Sequence, residues 1–266
     1  MKNKNKKGFL TASSYKLVAK KSLGQHFLHN RHYLEMVADA AVVEKGETIL
    51  EIGPGEGALT AVLLEHGTKV VALEKDARLI EVLREKFKGQ KFEVIEGDAL
   101  KYEPKFKKYK VVGNVPYYIT GALFKKFMSG KNQPQALVFL IQKEVAERIA
   151  RSKKESILSL SIKAYGTPTY IKSVPAGAFV PPPKVDSAIL QVSNISRTNF
   201  KNKKHEERFF ELLKAGFGQK RKLLASNIKN LLGENHSALL QNTNIDLKAR
   251  AEDVPLEAWL ELSKSY

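Results

Sequence analysis

The sequence predicts an α/β fold, a mostly parallel sheet flanked by helices, followed by a small C-terminal α-helical domain. Three observations predict it. From about residue 46, short apolar runs alternate with amphipathic ones at the spacing of βαβ units. A glycine-rich turn follows the first apolar run. Beyond about residue 203 the periodicity is helical throughout.

Thr48-Ile49-Leu50-Glu51-Ile52 is a short buried strand, and 59–65 reads as the helix after it. A second strand covers 69–73 and a second helix 76–87, with Asp76 as its N-cap. Strands follow at 92–95, 110–113 and 136–141, with helices at 121–128 and 143–151. Runs 169–174 and 187–193 complete the sheet. Pro181-Pro182-Pro183 between them cannot lie in a central strand. Polar residues 194–202 read as a linker. The expected organisation is a basic arm over 1–21, the α/β domain over 22–195 and the helical domain over 203–266.

Composition narrows the chemistry. The chain has 266 residues, 43% of them apolar, enough for one sizeable core. It has no cysteine, which excludes disulfides, thiol catalysis and cysteine-bound zinc. His26, His29 and His32 sit three apart without a companion carboxylate pattern, so no metal is expected. The formal net charge of +17 points to a polyanion, nucleic acid first. No acid precedes Glu35, whereas eight Lys or Arg do. No apolar run approaches membrane-spanning length, so a cytoplasmic protein without a membrane partner is expected.

Glu51-Ile52-Gly53-Pro54-Gly55-Glu56-Gly57 can hold a ligand against its backbone. Taken alone, it suits a dinucleotide as well as S-adenosylmethionine. Glu74 fits the ribose hydroxyls of either, or is a solvated residue of the 74–76 charge cluster. Asp98 can accept from an adenine amine, or simply cap its turn. The fourth strand ends in Asn114-Val115-Pro116-Tyr117-Tyr118, and that segment separates the rivals. The adenine amine is a weak nucleophile because its lone pair is delocalised into the ring. Two acceptors on its hydrogens, the Asn114 side-chain oxygen and the carbonyl of Val115 or Pro116, favour a pyramidal nitrogen and aim the lone pair at a methyl donor. Pro116 stiffens the turn and Tyr117 can stack on the base. This is catalysis by positioning and electrostatics. Phe179 either closes the opposite face of the base or is a core side chain beneath the prolines.

These residues resemble those of the bacterial small-subunit rRNA adenine dimethyltransferases, the kasugamycin-sensitivity family. The resemblance runs along nearly the whole chain, through Ser22 to Leu28, Glu51 to Gly57, Glu74, Gly97-Asp98-Ala99, Asn114 to Tyr117, Leu140 to Ala146, Phe179 to Ser187 and Phe217 to Lys222. It implies a Rossmann-like, class I S-adenosylmethionine-dependent methyltransferase. Its cofactor would be held by His26, Leu28, Gly53, Gly55, Glu74, Asp98 and Asn114. Asn114, Pro116, Tyr117 and Phe179 are the expected catalytic residues. The implied substrate is a pair of neighbouring adenines in the loop of the last helix of 16S rRNA, each dimethylated in the immature small ribosomal subunit, with the enzyme a monomer. His26 stands where Asn is frequent, Val115 where Leu is usual and Lys220 where Arg is usual.

Four other readings compete. A 23S rRNA adenine methyltransferase of the macrolide-resistance type shares most motifs, but 140–146 and 182–188 resemble the small-subunit enzymes more. A DNA adenine methyltransferase normally carries a larger base-reading domain than the C-terminal helices offer. A ribosome-assembly factor that binds without turnover is a further alternative. A dehydrogenase has only the glycine loop in its favour.

Overall fold

In the computed structural model, Lys20 and residues 24–265 are described. The basic arm over 1–21 thus falls outside the described residues, apart from Lys20. The chain opens with β1 (Phe27–Leu28) and α1 (Arg31–Ala40). It continues through β2 (Thr48–Ile52), α2 (Ala58–Glu65), β3 (Lys69–Glu74), α3 (Ala77–Lys86), β4 (Phe92–Glu96) and β5 (Lys110–Asn114). A 3₁₀ turn, Tyr117–Ile119, leads into α4 (Thr120–Ser129) and β6 (Leu137–Gln142). Then come α5 (Lys143–Ala150), α6 (Ile157–Lys163), β7 (Thr167–Val174), β8 (Phe179–Val180) and β9 (Ser187–Ser193). The C-terminal helices are α7 (Lys203–Gly216), α8 (Leu224–Leu232), α9 (His236–Asn242) and α10 (Leu256–Lys264).

Seven strands form one sheet in the order β4-β3-β2-β5-β6-β9-β7. The pairings from β4 to β6 are parallel, and β9 runs antiparallel to both β6 and β7. The chain order reverses between β2 and β5, which are direct neighbours. In open α/β sheets a crevice forms at the carboxyl ends of strands at such a point.

Sheet faces follow the period-two rule. Leu50, Val111 and Phe139 belong to one core cluster, and Ile49, Val112 and Val138 to the cluster on the other side. The first cluster also contains Phe209, Leu212, Trp259 and Leu262 of the C-terminal helices. The linker is pinned rather than free. Arg197 Nη2 donates to the carbonyls of Ser129 (2.6 Å) and Gly130 (2.8 Å). Its Nε reaches Glu206 at 3.3 Å, and the Tyr165 hydroxyl donates to the same carboxylate. The helical segment therefore shares a continuous buried core with the sheet.

The ten-residue α1, the seven-residue α6 and the two-residue β1 and β8 are not evident in the sequence pattern. Asp76 does cap α3, accepting from Arg78 N–H. No helix among the described residues is long and apolar enough to cross a membrane.

One backbone position is strained. Val42, after α1, adopts φ +48°, a conformation that costs a β-branched residue about 1–2 kcal/mol. The conformation aims its carbonyl at Lys110 Nζ, 2.6 Å away. Its side chain is 61% exposed, so little packing offsets the strain. Val42→Asn, which tolerates this conformation, is expected to raise the melting temperature by about 2–4 °C. An unchanged or lower value in a thermal melt would show that the strain is relieved in some other way.

Candidate active site

A cavity of about 530 Å³ lies at the carboxyl ends of β2, β3 and β5. Its floor is the loop after β2. Gly53, at φ +67°, donates its N–H to the Leu73 carbonyl (2.9 Å), which turns the chain sharply off the strand. Gly55, at φ +58°, is required for a second reason. A Cβ there would lie 2.9 Å from the Phe27 ring, so only glycine lets residues 24–29 cross over the loop as a strap.

The strap is tied down from both sides. Phe27 pairs with Val180 and Leu28 with Phe179 in the antiparallel pair β1–β8. His26 Nδ1 lies 2.8 Å from the Pro181 carbonyl, which can only accept, so the ring carries its proton on that nitrogen. Gln25 Nε2 donates to Asp76 at 3.2 Å, and Lys20 Nζ donates to the same carboxylate at 3.3 Å. Asp76 also holds Arg78, and these donors keep its carboxyl well below the usual range. The strap is thus anchored to the start of α3 as well as to the proline loop.

Asn114 closes the cavity from the end of β5. Its Nδ2 donates to the His26 carbonyl at 2.6 Å. This leaves the side-chain oxygen without a partner among the described residues, on a residue that lines the cavity. Gly113 just before it is obligatory, because a Cβ there would sit 2.6 Å from the Ile52 carbonyl in the neighbouring strand. Pro116 and Tyr117 line the cavity too. The Tyr117 hydroxyl is 2.7 Å from Ser187 Oγ, on a serine only 1% exposed. Burial raises the Tyr117 pKa, and the Ser187 bond partly opposes this.

The acids are placed differently from one another. Glu74, at the end of β3, is 5% exposed. Its oxygens accept from the N–H groups of Lys75 (2.8 Å), Asp76 (2.8 Å) and Gly55 (3.2 Å). Burial raises its pKa and these bonds oppose the rise. Asp98 accepts from Leu100 N–H at 3.0 Å and lies 3.2 Å from Lys75 Nζ. The backbone bond, then the lysine, hold its pKa below the ordinary value. Asp98 therefore caps its turn and still lines the cavity.

The structure brings His26, Leu28, Gly53, Gly55, Glu74, Asp98, Asn114, Pro116 and Tyr117 to one cavity. Phe179 is the exception among the expected site residues. It is 2% exposed and packs in the core cluster with Leu28, Leu140 and Ile189. Leu28 and Leu140 line the cavity, whereas Phe179 does not. The pairing of β8 with β1 turns Phe179 inward and leaves the next residue, Val180, 61% exposed.

Sequence reasoning missed three residues. Ser187 holds Tyr117, and only the tertiary structure joins positions 70 residues apart. Tyr118 lines the mouth and is 68% exposed. Glu51, seen only as part of a strand and loop, lies 1% exposed under the cavity and accepts from Thr60 Oγ1 at 2.6 Å. Among the described residues no cluster of His, Asp or Glu is arranged to hold a metal ion.

Solved structures place this architecture among the Rossmann-like rRNA methyltransferases. The chain superposes on the crystal structure of the 23S rRNA methyltransferase ErmE with a TM-score of 0.75 and 26% identity, covering 90% of this chain and 98% of that one. A dimethyladenosine transferase from Plasmodium falciparum gives a TM-score of 0.75 at 28% identity, over 89% and 96% of the two chains. Residues 17–266 match the family described as ribosomal RNA adenine dimethylase, and the chain belongs to that family. Among its relatives is the ribosomal RNA small subunit methyltransferase A of Dehalococcoides mccartyi strain CBDB1, 41% identical over 95% of this chain and 90% of the relative. The protein of that name from Fusobacterium nucleatum is 35% identical over 93% and 97%.

The chemistry of Glu51 yields a stability prediction. Burial pushes its pKa from 4.5 up to about 7, opposed by the Thr60 hydroxyl and raised further by Glu74. Between those two values the folded state keeps a proton that the unfolded chain has released. Stability therefore falls as pH rises through this window, by about 3 kcal/mol in all. Glu51→Gln removes that loss. Its melting temperature is expected to exceed that of the parent clearly at pH 8 and hardly at pH 5. An equal gain at both pH values would place the titration elsewhere.

Proposed function

We propose that this enzyme transfers methyl groups from S-adenosylmethionine to N6 of two adjacent adenines in the loop of the last helix of 16S rRNA, before the small subunit is complete. The observation that carries this reading is the orientation of Asn114. Its amide nitrogen is committed to the His26 carbonyl, so its oxygen is the atom left for an incoming amine. The hydrogen-bond pattern favours Val115 as the backbone acceptor. The Pro116 carbonyl accepts Ile119 N–H at 3.2 Å, whereas that of Val115 has no backbone partner among the described residues. Asn114 Oδ1 and the Val115 carbonyl form the pair that holds the two amine hydrogens.

The cavity suits the cofactor. Its volume lies in the range of small-molecule sites, and the glycine loop lets a ligand touch the backbone. Glu74 has lone pairs left for ribose hydroxyls, Asp98 for the adenine amine, and Leu28 an apolar wall. The cofactor, when bound, supplies an electrophilic methyl group. The protein orients the nucleophile, fixes the base against Tyr117 and excludes water under the strap. No side chain with a strongly shifted pKa has to act as base, because the product ammonium is acidic enough to release its proton.

The substrate assignment draws on the relatives. Identity reaches 41% with a small-subunit enzyme and 26% with the 23S rRNA enzyme ErmE. Exposed Lys220, Arg221 and Lys222 lie between α7 and α8, and with the basic arm they give phosphate contacts flanking the target loop.

Incubation with methyl-labelled cofactor and separate small or large ribosomal subunits tests the reading. Label is expected in small-subunit RNA as dimethyladenine, and label in large-subunit RNA would refute the assignment. Asn114→Ala is expected to lower transfer about 100-fold or more, with a much smaller change in cofactor affinity. Unchanged turnover would sink the role given to its oxygen.

A further inference from the structure

Tyr118 follows Tyr117 directly in one turn of 3₁₀ helix, yet the two rings meet different fates. Tyr117 is bonded inward to Ser187, while Tyr118 is 68% exposed and its hydroxyl has no partner among the described residues. Successive residues of a 3₁₀ turn project about 120° apart, so the turn sends one ring into the wall and the next over the mouth. The exposed ring is nonetheless braced. A Cβ added to Gly24 would sit 3.5 Å from Tyr118 Cε1 and 3.5 Å from Pro116 Cβ. Gly24 also has φ +61°, so a side chain there would strain the strap, and its position shows that the strap passes within van der Waals reach of the ring. The strap and the Asn114-to-Tyr117 turn thus hold a flat aromatic surface at the rim of the cavity that Tyr118 itself lines.

A single exposed aromatic carries little meaning by itself. Here its position decides. Tyr118 is one residue, about 3.8 Å along the backbone, from the tyrosine that stacks on the adenine in the cavity. We propose that Tyr118 is a second stacking site, which takes the unpaired base next to the adenine being methylated. The inference rests on the reading above, that the target is a pair of adjacent unpaired adenines. Drawing one base into the cavity strips its neighbour of a stacking partner, and the ring at the mouth replaces it. Stacking tolerates any base because each has a π-face, so the site serves either adenine while the other is methylated. Lysine contacts to phosphate hold the backbone without ordering a base.

A synthetic stem-loop RNA with two adjacent unpaired adenines, one replaced by 2-aminopurine, tests this. The probe lacks the 6-amino group that Asn114 engages, so the remaining adenine takes the cavity and the probe becomes the neighbour. Its emission is quenched when it stacks. The parent protein and Tyr118→Phe are expected to quench it on binding. Tyr118→Ala is expected to leave it bright and to weaken RNA binding about tenfold, with S-adenosylmethionine affinity unchanged. Absence of quenching by the parent, or equal quenching by Tyr118→Ala, overturns the proposal. Loss of cofactor affinity in Tyr118→Ala with RNA binding intact does so too, since the ring would then only cover the strap. The readout is binding, so it stands apart from the transfer assay. Failure to label small-subunit RNA would sink the activity reading instead.

Discussion

The hydrogen bond from Asn114 Nδ2 to the His26 carbonyl is the interaction on which the site depends. It joins the end of a central strand to a strap 88 residues earlier in the chain. A carbonyl can only accept, so the bond settles which way the amide faces. The same contact therefore shapes the cavity roof and leaves the amide oxygen as the free polar atom of a residue that lines the cavity. Gly113 makes the contact possible, because its missing side chain lets β5 approach β2 at the Ile52 carbonyl.

Around that bond the site is assembled from separate anchors. Asp76 holds the strap through Gln25 and Lys20, Pro181 through His26, and the Phe179–Val180 pair through Phe27 and Leu28. Glu74 braces the floor by accepting from Gly55. The anchors reach the start of α3, the 179–181 segment and the end of β5, so the cavity is held by several elements rather than by one loop. The C-terminal helices, through their shared core with the sheet, are fixed relative to this edge, which gives the exposed Lys220 to Lys222 segment a defined relation to the mouth.

Burial sorts otherwise similar residues into different work. Glu51 and Glu74 are both buried acids at strand ends. Glu74 meets backbone donors from three residues, whereas Glu51 is met by Thr60 alone, so burial dominates at Glu51. Tyr117 and Tyr118 are neighbours in sequence, but Ser187 claims one and solvent the other.

Much of this was legible in the sequence, for a physical reason. Strand and helix periodicity, the Gly53–Gly57 turn, the Asp76 cap and the Asn-x-Pro-Tyr turn are local properties of the chain, set by backbone sterics and by which side chains must leave water. They determined a parallel sheet with its reactive groups at the carboxyl ends. Only the tertiary structure decided where residues far apart in sequence meet. It paired 27–28 with 179–180, which buried Phe179 in the core cluster with Leu28. It placed Ser187 on Tyr117, set Tyr118 over the mouth and closed Glu51 away from water. Such outcomes follow from contacts between elements, and no local pattern encodes the neighbours that a side chain acquires when the sheet closes.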